Sequence, residues 1–130
     1  MSTIEKLLVV DDDEVNNFIL KELFQESEIA DEIIIKSSVD AALDYLQDKQ
    51  CTNPQLILLD INMPIKDGFD FLEEYEELGL AENPTKIVLL TSSLFDKDKA
   101  AVVKYESVID FIIKPMDVEK LRAIVSRLAS

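Results

Sequence analysis

Four short apolar runs in this chain each end in a side chain that could take part in chemistry. The runs, with the polar residues that follow them, are residues 7–10 with Asp11 and Asp12, residues 56–59 with Asp60, residues 87–90 with Thr91, and residues 112–113 with Lys114. If these runs are strands of one parallel sheet, carboxylates, a hydroxyl and an ammonium group meet at one edge of that sheet. The sequence therefore predicts a polar site there, with Asp60 at its centre.

Three carboxylates so close together need a compensating charge, because two like charges about 4 Å apart repel by on the order of 4 kcal/mol at an effective dielectric of 20. A hard divalent cation fits best, and Mg²⁺ is favoured because it needs only one or two carboxylates with water and phosphate oxygens. Mn²⁺ is a possible substitute. The predicted ligands are Asp11, Asp12, Asp60 and the backbone carbonyl of Asn62. A carboxylate can also accept a phosphoryl group as an acyl phosphate, and Asp60 is the predicted acceptor.

Two further groups of residues are predicted to serve the acceptor. The hydroxyl of Thr91 and the ammonium of Lys114 are suited to contact phosphoryl oxygens. In the loop after the third strand, Pro64 restricts the chain behind Met63, and Gly68 relaxes it. These loop residues are therefore predicted to shape the entry to the third helix.

The apolar runs alternate with longer stretches of helical spacing. The predicted strands span residues 6–10, 32–36, 56–59, 86–90 and 109–113. The predicted helices span residues 14–27, 39–49, 68–78, 96–105 and 118–128. Uninterrupted apolar strands indicate a parallel sheet covered on both faces, so the (βα)₅ order predicts a doubly wound α/β fold in one domain over residues 1–130.

Two of the predicted helices carry apolar residues at the spacing of a stripe packed on a sheet. In the first helix the stripe consists of Val15, Phe18, Ile19, Leu23 and Phe24. In the last helix it consists of Val118, Leu121, Ile124, Val125 and Leu128. Both stripes are predicted to be buried, and Asp13 is predicted to be the N-cap of the first helix.

The composition excludes several classes of function. The chain has no histidine, which removes Ser-His-Asp and Cys-His catalysis, imidazole metal sites and any phosphohistidine of its own. A net charge of -14 opposes binding to nucleic acid or to an anionic membrane. The single Cys51 cannot form an internal disulfide, and no export signal or bilayer-spanning run is evident. The chain is therefore predicted to be cytoplasmic.

Four motifs occur in order across essentially the whole chain. They are Val9-Val10-Asp11-Asp12, Asp60-Ile61-Asn62-Met63-Pro64 with Asp67-Gly68, Leu90-Thr91-Ser92, and Phe111-Ile112-Ile113-Lys114-Pro115. Together they resemble the CheY-like receiver domain of response regulators. The resemblance implies a flavodoxin-like strand order of 2-1-3-4-5 with five flanking helices, in a stand-alone receiver or one excised from a longer protein.

The resemblance also implies a regulatory phosphoacceptor of two-component signalling rather than an enzyme. A partner histidine kinase or histidine phosphotransfer protein would phosphorylate Asp60. Thr91 would then move toward the phosphoryl oxygens, and Phe111, the switch aromatic, would turn inward. Pro115 follows Lys114 and shapes the last loop of the motif set. The face formed by the fourth helix, fifth strand and fifth helix would change, and a downstream protein would bind there.

Two alternatives stay open at this point. Residues 7–15 also fit the opening motif of haloacid-dehalogenase-like phosphohydrolases, with Asp11 as nucleophile and Asp13 as acid/base. That alternative needs a later acidic motif, where the chain offers only Asp117 and Glu119 at the start of a helix, and it leaves the acid after the third strand without a role. A receiver-shaped interaction module that takes no phosphate would lack pocket residues, yet all of them are present.

Overall fold

The computed structural model describes residues 4–50, 52–92 and 96–129, so Cys51 lies outside the described residues. The five strands are β1 (Ile4–Val10), β2 (Ala30–Lys36), β3 (Leu56–Asp60), β4 (Lys86–Thr91) and β5 (Val108–Ile113). The five α-helices are α1 (Glu14–Glu26), α2 (Val39–Gln47), α3 (Gly68–Glu77), α4 (Asp96–Lys104) and α5 (Val118–Ala129). The alternating order is the predicted one.

The strands form one parallel sheet in the order β2-β1-β3-β4-β5, which confirms the doubly wound fold. Val10 is level with Leu59 in the β1–β3 register, so Asp11 follows β1 at the level where Asp60 ends β3. Asp60 is in turn level with Leu90 of β4. The register therefore brings the polar residues after these strands to one edge of the sheet.

The helices cover both faces of the sheet, which explains why β3 is buried along its whole length. One face is packed by α1 and α5, whose buried apolar side chains include Leu20, Phe24, Leu121, Ile124 and Val125. The other face is packed by α2, α3 and α4, whose buried side chains include Leu43, Leu46, Phe71, Leu72 and Ala101. Burial of this apolar surface on both faces is the main stabilising contribution to the fold.

The first three helices begin at side chains that cap them. Asp13 and Ser38 each accept a hydrogen bond from the backbone N–H three residues further on, at 3.1 Å in both cases. Asp67 and Asp70 exchange such bonds in a capping box at the start of α3. These bonds satisfy backbone N–H groups that a helix start leaves free. Because Asp13 and Asp67 follow β1 and β3, they also fix the loops at the polar edge.

The predicted apolar stripe of α1 is wrong for most of its residues. Val15, Phe18, Ile19 and Leu23 are exposed by 72, 67, 49 and 41%, and only Phe24 is buried. The side that packs on the sheet is formed by the buried residues Asn17, Leu20 and Phe24. Both sets have helical spacing, and the direction in which the chain leaves β1 decides which set faces the sheet.

The corresponding prediction for α5 is confirmed. Leu121, Ile124 and Val125 are buried, and Val118 and Leu128 are half-buried. Element limits differ by one or two residues from the predicted ones, as expected where ends fray or caps intervene. No helix within the described residues has the length and apolar character needed to cross a bilayer.

Candidate functional site

Three carboxylates meet at the carboxyl edge of the sheet, as the sequence predicts. One oxygen each from Asp11, Asp12 and Asp60 lies within 4.8 Å of the other two. The side chains of Asp11 and Asp60 are buried, whereas that of Asp12 is exposed. The cluster therefore combines two acids removed from water with a third that faces it.

Several donors hold the carboxylate of Asp11. Its Oδ1 accepts a hydrogen bond from the backbone N–H of Asp13 at 3.0 Å, and its Oδ2 accepts one from Asn16 Nδ2 at 3.3 Å. Lys114 Nζ lies 3.5 Å from the same Oδ2. Asn16 is not among the residues predicted from the sequence, although a polar residue one helical turn beyond an acidic pair is a usable signal.

Lys114 lies between the two buried acids. Its Nζ is 3.2 Å from Asp60 Oδ2 as well as 3.5 Å from Asp11 Oδ2. Its backbone N–H donates to the carbonyl of Thr91 at 2.7 Å, and a cis peptide bond links it to Pro115. Burial lowers the pKa of Lys114, but the charges of Asp11 and Asp60 outweigh burial and leave the pKa raised. The side chain is therefore a charged donor between the two buried acids.

The carboxyl of Asp60 is harder to ionise than an ordinary aspartate. Burial, followed by the charge of Asp11, raises the pKa of Asp60 from 3.8 to about 6. The backbone N–H of Asn62, 3.1 Å from Asp60 Oδ1, and the ammonium of Lys114 act in the opposite direction. The ionised cluster is thus short of positive charge, which a divalent cation would supply.

The two predicted switch residues lie on neighbouring strands. Thr91 ends β4 and is buried. Phe111 is half-buried in β5, where it packs against the core on the α2, α3 and α4 side and is level with Leu89 of β4. Its backbone N–H donates to Asp110 Oδ1 at 2.8 Å. The movement assigned to these residues stays a prediction.

The loop between β3 and α3 passes close to the backbone of the acceptor strand. The N–H of Gly68 donates to the carbonyl of Ile61 at 2.9 Å. A Cβ on residue 68 would lie 2.8 Å from the Cα of Ile61, closer than side chains approach backbone, so glycine is required by space here. Met63 is buried beneath the loop and Pro64 is exposed on it.

Ile65 in the same loop has an unfavourable backbone conformation. Its φ is 70°, which β-branched residues rarely adopt. The N–H of Lys66 donates to the carbonyl of Pro64 at 2.8 Å and closes a γ-turn around it. Lys66 Nζ also pairs with Asp40 and Glu74 at 2.8 and 3.1 Å, which anchors the turn. Because the side chain of Ile65 is fully exposed, no packing offsets the strain.

Replacement of Ile65 by glycine is expected to stabilise the protein. A non-glycine residue in this region carries on the order of 1–3 kcal/mol of strain. The added freedom of glycine in the unfolded chain costs roughly 0.5–1 kcal/mol. We expect Ile65→Gly to raise the free energy of unfolding by about 1 kcal/mol in urea titrations, and Ile65→Ala, which keeps a Cβ, to raise it by less. A loss of stability in Ile65→Gly would contradict this account.

Comparison with known proteins agrees with this geometry. A sequence model described as the response regulator receiver domain matches residues 7–126, a range that includes the acidic cluster and Lys114. The chain belongs to this receiver domain family. The receiver is similar to a two-component response regulator from Cytophaga hutchinsonii, with 25% identity, a TM-score of 0.86 and coverage of 98% of both chains.

Two other similar proteins add detail. The response regulator TrrA from Thermotoga maritima, solved in complex with Mg²⁺ and BeF, is 26% identical with a TM-score of 0.72, and the match covers 95% of this chain and 98% of that one. Response regulator Rcp1 of Synechocystis sp. is 32% identical over 77% of this chain and 69% of its own length. The chain spans only 27 to 36% of the length of three protein-glutamate methylesterases that also match, so their activity is not carried over to it.

The acidic cluster fits the cation that receiver domains bind. Receiver domains hold Mg²⁺ at an acidic cluster, and this one offers oxygen ligands from Asp11, Asp12 and Asp60 within 4.8 Å of one another. Oxygen-only ligands suit Mg²⁺ or Mn²⁺ and not a soft metal. The donor set present in this chain is therefore compatible with the ion.

The phosphohydrolase alternative is not supported. Asp13, its acid/base, caps α1 by accepting the N–H of Asn16 at 3.1 Å, and its side chain is exposed. Asp60, which that alternative leaves without a role, lies within the cluster. The family match agrees, since a receiver domain is a regulatory phosphoacceptor.

Proposed function

We propose that this receiver is a signalling switch of a two-component phosphorelay and that Asp60 accepts the phosphoryl group. The observation that carries the proposal is Lys114, whose Nζ is 3.2 Å from Asp60 Oδ2 within an acidic cluster. A lysine at that distance can stabilise the additional negative charge that phosphorylation brings. The donor would be a partner histidine kinase or histidine phosphotransfer protein, since this chain has no histidine.

The transfer depends on position and charge more than on proton removal. A carboxylate oxygen of Asp60 attacks phosphorus, the P–N bond to the donor histidine breaks, and the imidazole leaves with the bonding electron pair. The ammonium of Lys114 and the hydroxyl of Thr91 contact the phosphoryl oxygens. The residues that would hold Mg²⁺ or Mn²⁺ are Asp11, Asp12, Asp60 and the backbone carbonyl of Asn62. When bound, the cation neutralises part of the phosphoryl charge.

The output surface in this proposal is the face formed by α4, β5 and α5. The new phosphoryl group attracts Thr91, and Phe111 turns into the space that Thr91 leaves. Phe111 is half-buried, so an inward turn changes what the face presents. Val103 on α4 and Ile113 on β5 are exposed by 87 and 46%, which gives a downstream protein apolar contacts on the same face.

The donor is proposed to dock on the exposed apolar side of α1. Val15, Phe18 and Ile19 lie there, exposed by 72, 67 and 49%, within two turns of the acidic cluster. A cleft of about 340 Å³ opens beside this helix and is lined by Asp13, Asn16, Leu90, Lys114, Pro115 and Met116. A donor helix lying on α1 could therefore bring its histidine to Lys114 and the acceptor.

Intact mass spectrometry tests the acceptor. Wild-type protein incubated with Mg²⁺ and acetyl phosphate is expected to gain one phosphoryl group. Asp60→Asn is expected to gain none, because an amide cannot form the acyl phosphate. Asp11→Asn keeps the acceptor but loses a cation ligand, so it should take up phosphate more slowly and need more Mg²⁺. Phosphate uptake by Asp60→Asn equal to that of wild type would refute the assignment.

Asp13→Asn is the matched control, because asparagine also caps helices and the residue is exposed. It is expected to accept phosphate as the wild type does. Loss of phosphate in Asp11→Asn and Asp13→Asn, with retention in Asp60→Asn, would favour the phosphohydrolase mechanism instead. Chelation of the cation should stop uptake in the wild type and in every variant that accepts phosphate.

A further inference from the structure

Asn17 is a polar residue in the part of α1 that packs on the sheet. It shares the buried side of the helix with Leu20 and Phe24 and is only 5% exposed. A buried carboxamide costs free energy unless both its donor and its acceptor find partners. An apolar residue would therefore suit this position better if packing were its only role.

The hydrogen bonds of Asn17 are one-sided. Its Nδ2 donates to the backbone carbonyl of Asp11 at 2.7 Å. Its Oδ1 is buried and has no hydrogen-bond partner among the residues that the structure describes. An unsatisfied buried acceptor costs on the order of 1–3 kcal/mol, so the side chain is poorly suited to stabilising the fold. Only its donor is in use.

The hydrogen bond from Asn17 Nδ2 restrains the peptide group between Asp11 and Asp12. The N–H of Asp11 donates to the carbonyl of Lys36 on β2 at 3.1 Å, which fixes the amide side of this residue. β2 ends at Lys36, and the carbonyl of Asp11, which follows β1, accepts its hydrogen bond from Asn17 of α1 instead. The plane of the Asp11–Asp12 peptide is thus held by a side chain.

Asp12 depends on this peptide more than the other two acids do. The carboxylate of Asp11 is held by the N–H of Asp13 and by Asn16, and that of Asp60 is held by the N–H of Asn62. Lys114 contacts both acids. The carboxylate of Asp12 has neither a hydrogen bond nor an ion pair within the described part of the chain. Only its own backbone therefore restrains it, through the direction of the Cα–Cβ bond.

We propose that Asn17 is a positioning residue that aims the carboxylate of Asp12 at the cation site by holding the Asp11 carbonyl. The donor bond fixes the peptide from which Asp12 extends, so the backbone of the third ligand is in place before the cation arrives. Preorganised ligands lose less conformational entropy when the ion binds. The inference rests on the proposed function only in that the cation is taken to serve phosphorylation. The geometry at Asn17 is independent of phosphorylation.

Direct metal titration tests this role without phosphate. Mn²⁺ binding to the full chain can be followed by the loss of its free-ion electron paramagnetic resonance signal. Asn17→Leu has a similar shape but no donor, and we expect its Kd for Mn²⁺ to rise by roughly 10-fold or more, the effect typical of groups that orient metal ligands. Asn17→Ser keeps a shorter donor and should fall between Asn17→Leu and wild type.

Leu20→Ala is the matched control, because Leu20 lies on the same buried side of α1 without a bond to Asp11. It should lower the free energy of unfolding yet leave the Mn²⁺ Kd within about twofold of wild type. If Asn17→Leu does not fold, Asn17→Ser carries the comparison. Wild-type affinity in the folded Asn17 variants, or an equal loss of affinity in Leu20→Ala, overturns the proposal.

Phosphate uptake from acetyl phosphate gives a second readout. The Mg²⁺ concentration for half-maximal uptake is expected to rise in Asn17→Leu, while the rate at saturating Mg²⁺ stays near that of wild type, because Asp60 and Lys114 are unchanged. A wild type that binds Mn²⁺ but takes up no phosphate would refute the proposed function and leave the role of Asn17 intact. If Asn17→Leu instead took up phosphate more slowly at saturating Mg²⁺, with no change in the Mg²⁺ concentration for half-maximal uptake, that role would be refuted.

Discussion

Asp60→Asn is expected to unfold at a higher temperature than the wild-type receiver when both are free of divalent cations at pH 8. Burial, together with the charge of Asp11, raises the pKa of Asp60 from 3.8 to about 6. Ionisation is therefore harder in the folded state than in the unfolded chain. At a pH above both pKa values this lowers the stability of the wild type by on the order of 2–3 kcal/mol. A neutral amide avoids this cost, so we expect the Tm to rise by roughly 5–10 °C in calorimetry.

The pH dependence of this gain has a definite sign. Below about pH 3 the carboxyl of Asp60 is mostly protonated in both the folded and the unfolded state, so ionisation makes no difference to stability. The penalty on the wild type appears as the pH rises through the unfolded value of 3.8 and is complete above the folded value of about 6. The difference in free energy of unfolding between Asp60→Asn and the wild type should grow over this range and stay constant above about pH 7. Added Mg²⁺ should narrow it by neutralising the wild-type cluster.

Asp44→Asn is the control for overall charge. Asp44 is exposed on α2, and its replacement removes one negative charge from a chain of net charge -14, as Asp60→Asn does. We expect little change in Tm, because exposed charges are well solvated. An equal rise in both variants would assign the effect to overall repulsion and not to the acidic cluster.

Gly68→Ala is expected to lower the free energy of unfolding by about 1 kcal/mol and to slow phosphate uptake. The added Cβ would lie 2.8 Å from the Cα of Ile61 and 3.1 Å from the carbonyl oxygen of Asp60. Alanine is favoured in helices by about 1 kcal/mol, but overlap with backbone that cannot rotate away costs roughly 1–3 kcal/mol or more. Relief of the overlap would shift the backbone of Asp60, the proposed phosphoryl acceptor. Urea titration and acetyl phosphate uptake measure the two effects.

Gly79→Ala is the control that distinguishes steric overlap at residue 68 from the general effect of replacing a glycine. Gly79 follows α3 with a φ of 75°, and nothing lies within 4 Å of a Cβ built on it. Alanine there should cost about 1 kcal/mol through the left-handed backbone alone. Its phosphate uptake should equal that of wild type. A Gly68→Ala protein with normal uptake would show that the loop can move without disturbing Asp60.

The grouping of the site residues could be predicted because it depends on topology alone. In a parallel sheet the residues that follow the strands share one edge, whatever the details of the helices. Asp11, Asp60, Thr91 and Lys114 each follow or end an apolar run, and apolar runs are the strongest sequence signal for buried strands. Their chemical roles stay predictions until phosphate uptake is measured.

The buried side of α1 could not be predicted from its spacing. Val15, Phe18 and Ile19 recur at helical intervals, and so do Leu20 and Phe24 on the side that packs. The choice depends on how the turn after β1 rotates the first helical residue, which hydrogen bonds at Asp11 and Asp13 determine. For the same reason the buried position of Asn17 could not be recognised without coordinates.

The open apolar side of α1 also affects how copies of this receiver meet at high concentration. Every copy carries a net charge of -14, so two copies repel one another before their apolar surfaces come into contact. A protein with a basic rim is drawn to the same surface from a distance. Ionic screening shortens this reach to about 8 Å at physiological salt. The net charge thus disfavours self-association through α1 and favours partners with a basic rim, and both effects weaken as ionic strength rises.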